Sequence, residues 1–157
     1  SGGACLLVHN TSSDFLATYA TLHQQMRGGT PYARLRGGAR LAAMHVKDTA
    51  HSPALYGTYL YLIEPSAPFR LTSVSPKVCF SDRRLELSSS ARCALQYVTG
   101  LVVDEEANLA LVSYGEMDLA MRVAALPLDR VLALARTHAI DEEGNTVSEC
   151  AQPFHSP

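Results

Sequence analysis

The chain has 157 residues, a formal net charge of −2, and 47% hydrophobic against 18% charged residues. That is enough apolar material for one domain with a real core and too little length for two ordinary ones, and it excludes a disordered chain. The near-balanced charge leaves no basic field to hold a nucleic acid or an anionic membrane surface by charge alone, and no run of about 18 apolar residues predicts a membrane span.

In chain order, Cys5 to Val8 and Phe15 to Leu22 read as two strands of an incomplete first unit. Tyr32 to Leu35 and Arg40 to Val46 are predicted strands joined by the tight turn Arg36-Gly37-Gly38-Ala39, a hairpin by loop length and glycine placement. Lys47 to Ala54 is a polar connection. Tyr56 to Ile63 is a β-prone run ended by Glu64-Pro65-Ser66-Ala67-Pro68, and Phe69 to Val74 is a further strand closed by Pro76. Cys79 to Arg92 contains Asp82-Arg83-Arg84 and Ser88-Ser89-Ser90 and reads as a surface connection.

Strands resume with Tyr97 to Val103, a turn over Asp104-Glu105-Glu106-Ala107-Asn108, then Leu109 to Tyr114 and Leu119 to Leu126. Pro127-Leu128-Asp129 opens a helix that runs through Arg136, with Leu128, Val131, Leu132 and Leu134 as its apolar positions. The fold expected is all-β: a partial β-propeller domain over residues 1–138, of about two and a half four-stranded antiparallel blades with one C-terminal helix, and a mobile polar tail over 139–157. A ring needs at least about four blades, so such a chain leaves a sheet face and several edges uncovered.

The basic set is eleven arginines and two lysines, Lys47 and Lys77, a bias toward side chains that grip phosphate or carboxylate bidentately. Cys5, Cys79, Cys93 and Cys150 have no metal-site spacing and read as buried free thiols; no metal or cofactor is predicted. Asn10-Thr11-Ser12 satisfies the rule for N-glycosylation at Asn10 and points toward the secretory pathway or Golgi.

The order Arg27-Gly28-Gly29-Thr30-Pro31, Leu41-Ala42-Ala43-Met44-His45, Tyr56 before a long strand, Gly100-Leu101-Val102-Val103-Asp104 and Ser113-Tyr114-Gly115-Glu116-Met117-Asp118 resembles the C-terminal half of five-bladed β-propeller mannoside phosphorylases and related glycosyltransferase-associated propellers. The resemblance covers roughly Arg27 to Leu134. It implies an active site at the axial mouth, where an acid protonates the glycosidic oxygen while phosphate or water attacks the anomeric carbon. The family's general-acid Asp belongs to earlier blades with no counterpart here, so no catalytic residue is assigned and enzymatic activity stays open.

By that resemblance Arg27, His45 and Tyr56 form a phosphate-binding wall; a planar guanidinium fork with His and Tyr donors suits that task. A turn residue, a structural histidine and an edge aromatic are the competing readings. Asp118 and Tyr114, with Gly28 and Gly29, are assigned to the sugar, because a carboxylate accepts two hydroxyl hydrogen bonds and glycine admits a close ligand. An ordinary hairpin-turn Asp and plain turn glycines are the alternatives. Glu116 receives no role, and Lys47-Asp48 reads as a local ion pair or a further lining of the same mouth. The implied partners are a sugar or glycan substrate, inorganic phosphate or a sugar phosphate, and the rest of the propeller or a partner chain. A non-catalytic glycan-binding or structural module completed by another chain is the second functional reading.

Overall fold

The computed structural model describes residues 24–49, 52, 55–81, 84–87, 96–140 and 146–147. The elements are β1 (Gln24–Gly28), β2 (Ala33–Arg34), β3 (Arg40–Asp48), β4 (Leu55–Ile63), β5 (Leu71–Val74), β6 (Val78–Ser81), β7 (Arg84–Leu87), β8 (Gln96–Asp104), β9 (Leu109–Glu116), β10 (Ala120–Pro127), α1 (Leu128–Ala135), β11 (His138–Ile140) and β12 (Thr146–Val147). The described residues are thus mostly β with one helix, in two antiparallel sheets. The described residues contain no closed barrel and no closed ring of blades.

The larger sheet runs β1-β3-β4-β5-β11-β12. Its β2–β3 hairpin forms at the predicted turn, where Gly38 takes φ of 88° and the Leu35 N–H donates to Ala39 O at 2.9 Å. β1 and β2 lie along the same edge of β3, and between them Thr30 holds Ala43 from both sides: its N–H donates to Ala43 O, and its Oγ1 accepts from Ala43 N–H. Gly29 sits where this crossing is tightest, since a Cβ there would lie 2.1 Å from Ala43 O. Beyond β4, the next strand is split at Ser75-Pro76-Lys77 into β5 and β6. Ser75 spans the break: its N–H donates to Leu60 O and its Oγ accepts from Leu60 N–H. The sheet forks there, with β11 on β5 and β7 on β6.

Four expectations meet a different structure. The surface connection predicted from Cys79 begins instead with paired strands β6 and β7, because Val78 and Phe80 alternate onto the core face and are fully buried. Cys79 is disulfide-bonded, so the free-thiol reading does not hold for it. Arg27, weighed as a turn residue, is in strand β1 opposite His45. The residues assigned to a tail start with Ala139 in β11, paired with Ser73 of β5. Asn10 and the two strands predicted before residue 23 lie outside the described residues.

The smaller sheet, β10-β9-β8, follows the predicted turn. Asp104 Oδ1 accepts from the N–H groups of Glu106 and Ala107, and Asn108 takes φ of 49°. Asn108 also caps α1, accepting from Asp129 N–H through Oδ1 and from Leu128 N–H through its carbonyl. Pro127 is the residue before the first helical one, and the helix then buries Leu128, Val131 and Ala135 at helical spacing.

The two sheets pack face to face. Leu41, Ala43, Leu60, Leu62, Val78 and Phe80 from the larger sheet meet Val98, Leu101, Val112, Tyr114 and Leu126 from the smaller, with α1 closing one side. Each large aliphatic buried here contributes roughly 1.5–3 kcal/mol. Gln96 stitches the sheets as well as filling space: its Oε1 accepts from Phe80 N–H at 3.0 Å, and its Nε2 donates to Phe80 O.

Candidate functional site

The strand period decides where the polar residues go. Along β3, residues 41, 43, 45 and 47 share one face, and their partners on β4 are Leu62, Leu60, Thr58 and Tyr56. The first two rungs are aliphatic and are buried by the smaller sheet. The last two turn polar, and β1 extends them, placing Arg27 opposite His45. One sheet face therefore changes from core to recess between Ala43 and His45.

The recess has a volume of about 650 Å³. Arg27, His45 and Tyr56, grouped by the resemblance, line it together with Gly28 and Gly29. Lys47 joins them and holds its Nζ 6.0 Å from the centre of the Tyr56 ring. The last wall comes from the other sheet: Tyr97 at the start of β8 stands 4.3 Å from the His45 ring and 6.4 Å from that of Tyr56. His45, 2% exposed, has its pKa held below the ordinary 6.5, first by burial and then by the positive charge of Arg27. It is therefore a neutral imidazole near neutral pH, offering one N–H beside two cationic side chains.

A second recess of about 370 Å³ shares Tyr97 with the first. Asp118 lines it with Thr99, Gly115, Leu119 and Met121. Asp118 is exposed in the β9–β10 turn, where it and Met117 both take φ of 55° and Leu119 N–H donates to Glu116 O. Asp tolerates this left-handed conformation through its short polar side chain, whereas Met does so under strain. Glu116 is engaged nearby, accepting from Arg122 Nε at 2.9 Å.

The predicted residues thus fall into two recesses rather than one. Tyr114 lines neither: it is buried, its ring 5.4 Å from that of Phe80 in the core. Gly29 approaches β3 rather than open space, while nothing lies within 4 Å of a Cβ placed on Gly28. Sequence reasoning missed Tyr97, the residue common to both recesses, and Thr58, the cross-strand partner of His45. Counting back from the Asp104–Asn108 turn would have placed Tyr97 near the Asp118 loop, with a one-residue error from the register shift between Val98 and Gly100.

Among the described residues no group of three or more His, Cys, Asp or Glu is arranged to hold a metal ion, and no helix is long and apolar enough to cross a membrane. Comparison of the chain with protein-family models, with curated proteins and with solved structures gives no match.

Proposed function

We propose that this chain is the C-terminal part of a carbohydrate-active β-propeller that handles mannose-like glycosides by phosphorolysis or glycosyl transfer. In this reading the two sheets belong to successive blades, and the recesses that share Tyr97 are adjoining subsites for phosphate and sugar. The observation that supports it is the shared wall: a cationic recess with Arg27, Lys47 and a neutral His45 adjoins, across one aromatic ring, a recess lined by an exposed carboxylate. Guanidinium and ammonium groups suit a phosphate, and a carboxylate suits vicinal hydroxyls. A ligand bearing both, such as a sugar phosphate, fits the pair better than either part alone.

The second reading, a glycan-binding or structural module completed by another chain, draws on the outward face of β8–β10. Val102, Leu119, Met121 and Val123 are all exposed there, Leu119 at 89%, an apolar face of the kind that other chains cover.

Calorimetric titration with mannose 1-phosphate, mannose and inorganic phosphate tests the subsite pair. Mannose 1-phosphate should bind most tightly; Arg27→Ala should weaken the phosphate part and Asp118→Ala the sugar part. Equal or absent binding of all three would reject the assignment. Incubation with mannose 1-phosphate and a mannose acceptor then separates the two readings, since a disaccharide product requires an enzyme.

A further inference from the structure

His45 and Thr58 face each other across β3 and β4 on the side that carries the cationic recess. Both are almost fully buried, at 2% and 1% exposure. Their polar atoms are also alike: His45 Nδ1 and Thr58 Oγ1 are sealed from solvent and make no hydrogen bond to another group of the protein. One orphaned polar atom in a core is costly, and two on the same rung of one hairpin point to a shared partner. Directly opposed residues on one sheet face place their Cβ atoms roughly 4.5–5.5 Å apart, a span that a single buried water closes by bonding to both.

The chemistry of the pair has a direction. With Nδ1 sealed, Nε2 is the ring nitrogen left to meet a ligand in the recess that His45 lines. A neutral imidazole has a single N–H, so it can donate to a bound anion only if that proton is on Nε2 and Nδ1 accepts. A threonine hydroxyl, like the water between, can donate or accept, so once a bound anion holds the proton on Nε2 the pair turns to donate toward Nδ1. Arg27, Lys47, Tyr56 and Tyr97 are the other groups around the ring, and each faces the recess.

We infer that Thr58 is a positioning residue of this site: its hydroxyl, through one buried water, supplies the hydrogen bond that His45 Nδ1 accepts, so that His45 presents an N–H at Nε2 to the anion. The inference rests on the reading of the recess as an anion site. It adds the residue that gives Nδ1 a hydrogen-bond donor when His45 turns its proton to the anion at Nε2.

The test is nitrogen NMR of histidine-labelled protein, with the His45 signals assigned by His45→Gln, alongside calorimetry with inorganic phosphate. Thr58→Val keeps the side-chain shape and Thr58→Ser keeps the hydroxyl; both are checked for native fold by their amide spectra. In the wild type with phosphate, His45 should be in the Nε2–H form. Thr58→Val should abolish that single preference and weaken phosphate binding about tenfold, the worth of one hydrogen bond. Thr58→Ser should restore both. An Nδ1–H form in the phosphate-bound wild type, or the same His45 spectrum in wild type and Thr58→Val, overturns the role of Thr58. Absence of phosphate binding by the wild type instead removes the anion reading, and the spectra without phosphate still decide whether Thr58 sets the proton.

Discussion

His45 and Tyr97 stand with ring centroids 4.3 Å apart, tilted at 52°, although one belongs to the larger sheet and the other to the smaller. Their contact is where the apolar interface between the sheets ends and the recess begins. Tyr97→Ala should therefore have two effects. Stability should fall by about 1 kcal/mol, the value of an aromatic pair at a half-exposed position. If the recesses hold phosphate and sugar as proposed, the two affinities should fall together, because Tyr97 lines both. Tyr97→Phe should keep most of the stability, read by urea unfolding.

The histidine also sets a pH dependence. Its folded pKa lies below 6.5, from burial first and Arg27 second. Above that value it is neutral in both folded and unfolded chains and contributes no slope. As pH falls below 6.5 the unfolded chain takes up a proton that the folded chain refuses, so stability declines until the folded His45 protonates too. Unfolding midpoints compared at about pH 7.5 and about pH 5.5 should show this loss, and His45→Gln should flatten it.

The two glycines beside the recess should respond oppositely to the same change. Gly29→Ala drives a Cβ into the Ala43 carbonyl and pushes apart the β1–β3 crossing; a loss of about 1–3 kcal/mol is expected. Gly28→Ala meets nothing within 4 Å, so its melting temperature should hardly move while the recess narrows. Thermal melts of the two variants side by side check this.

Much of the scaffold behind these residues was readable from the sequence, because turn chemistry and alternation agreed with tertiary packing. Gly37-Gly38, the Asp104–Asn108 turn and Pro127 each mark an element boundary that the structure has at or within a residue or two of the same place. The grouping of Arg27, His45 and Tyr56 came from resemblance, and strand parity then explains it. What was not readable came from long-range pairing. β6 opens a run that reads as polar, with Val78 and Phe80 on its core face, and nothing local announces that Pro76 interrupts a strand instead of ending it. The contact of Tyr97 with His45 depends on how one sheet lies on another, which no local pattern encodes.

Gln96 offers a test of that inter-sheet contact. Gln96→Leu would leave both Phe80 N–H and Phe80 O without their buried partner. A loss of about 2–4 kcal/mol is expected from two orphaned backbone groups, partly offset by the added apolar side chain. Chemical denaturation with both far- and near-ultraviolet circular dichroism should show the two sheets unfolding together.

The Asp118 turn is open to improvement. Met117 occupies a left-handed conformation that asparagine adopts more readily, so Met117→Asn should raise stability by about 0.5–1 kcal/mol without touching the carboxylate next to it. Differential scanning calorimetry reads the gain, and unchanged sugar binding would show that Asp118 holds its place.

The forked strand at Pro76 also governs the order of assembly. β6 finds β7 just after it in sequence, but β5 must wait for β11, and the whole smaller sheet and α1 lie between Val74 and its partner His138. The loop that this pairing closes is the longest between any two adjacent strands described, so its entropy is recovered only after the intervening strands have condensed. A ribosome releasing this chain would thus emit most of the larger sheet with the β5 edge held open, filled by β11 from more than fifty residues later and extended by β12.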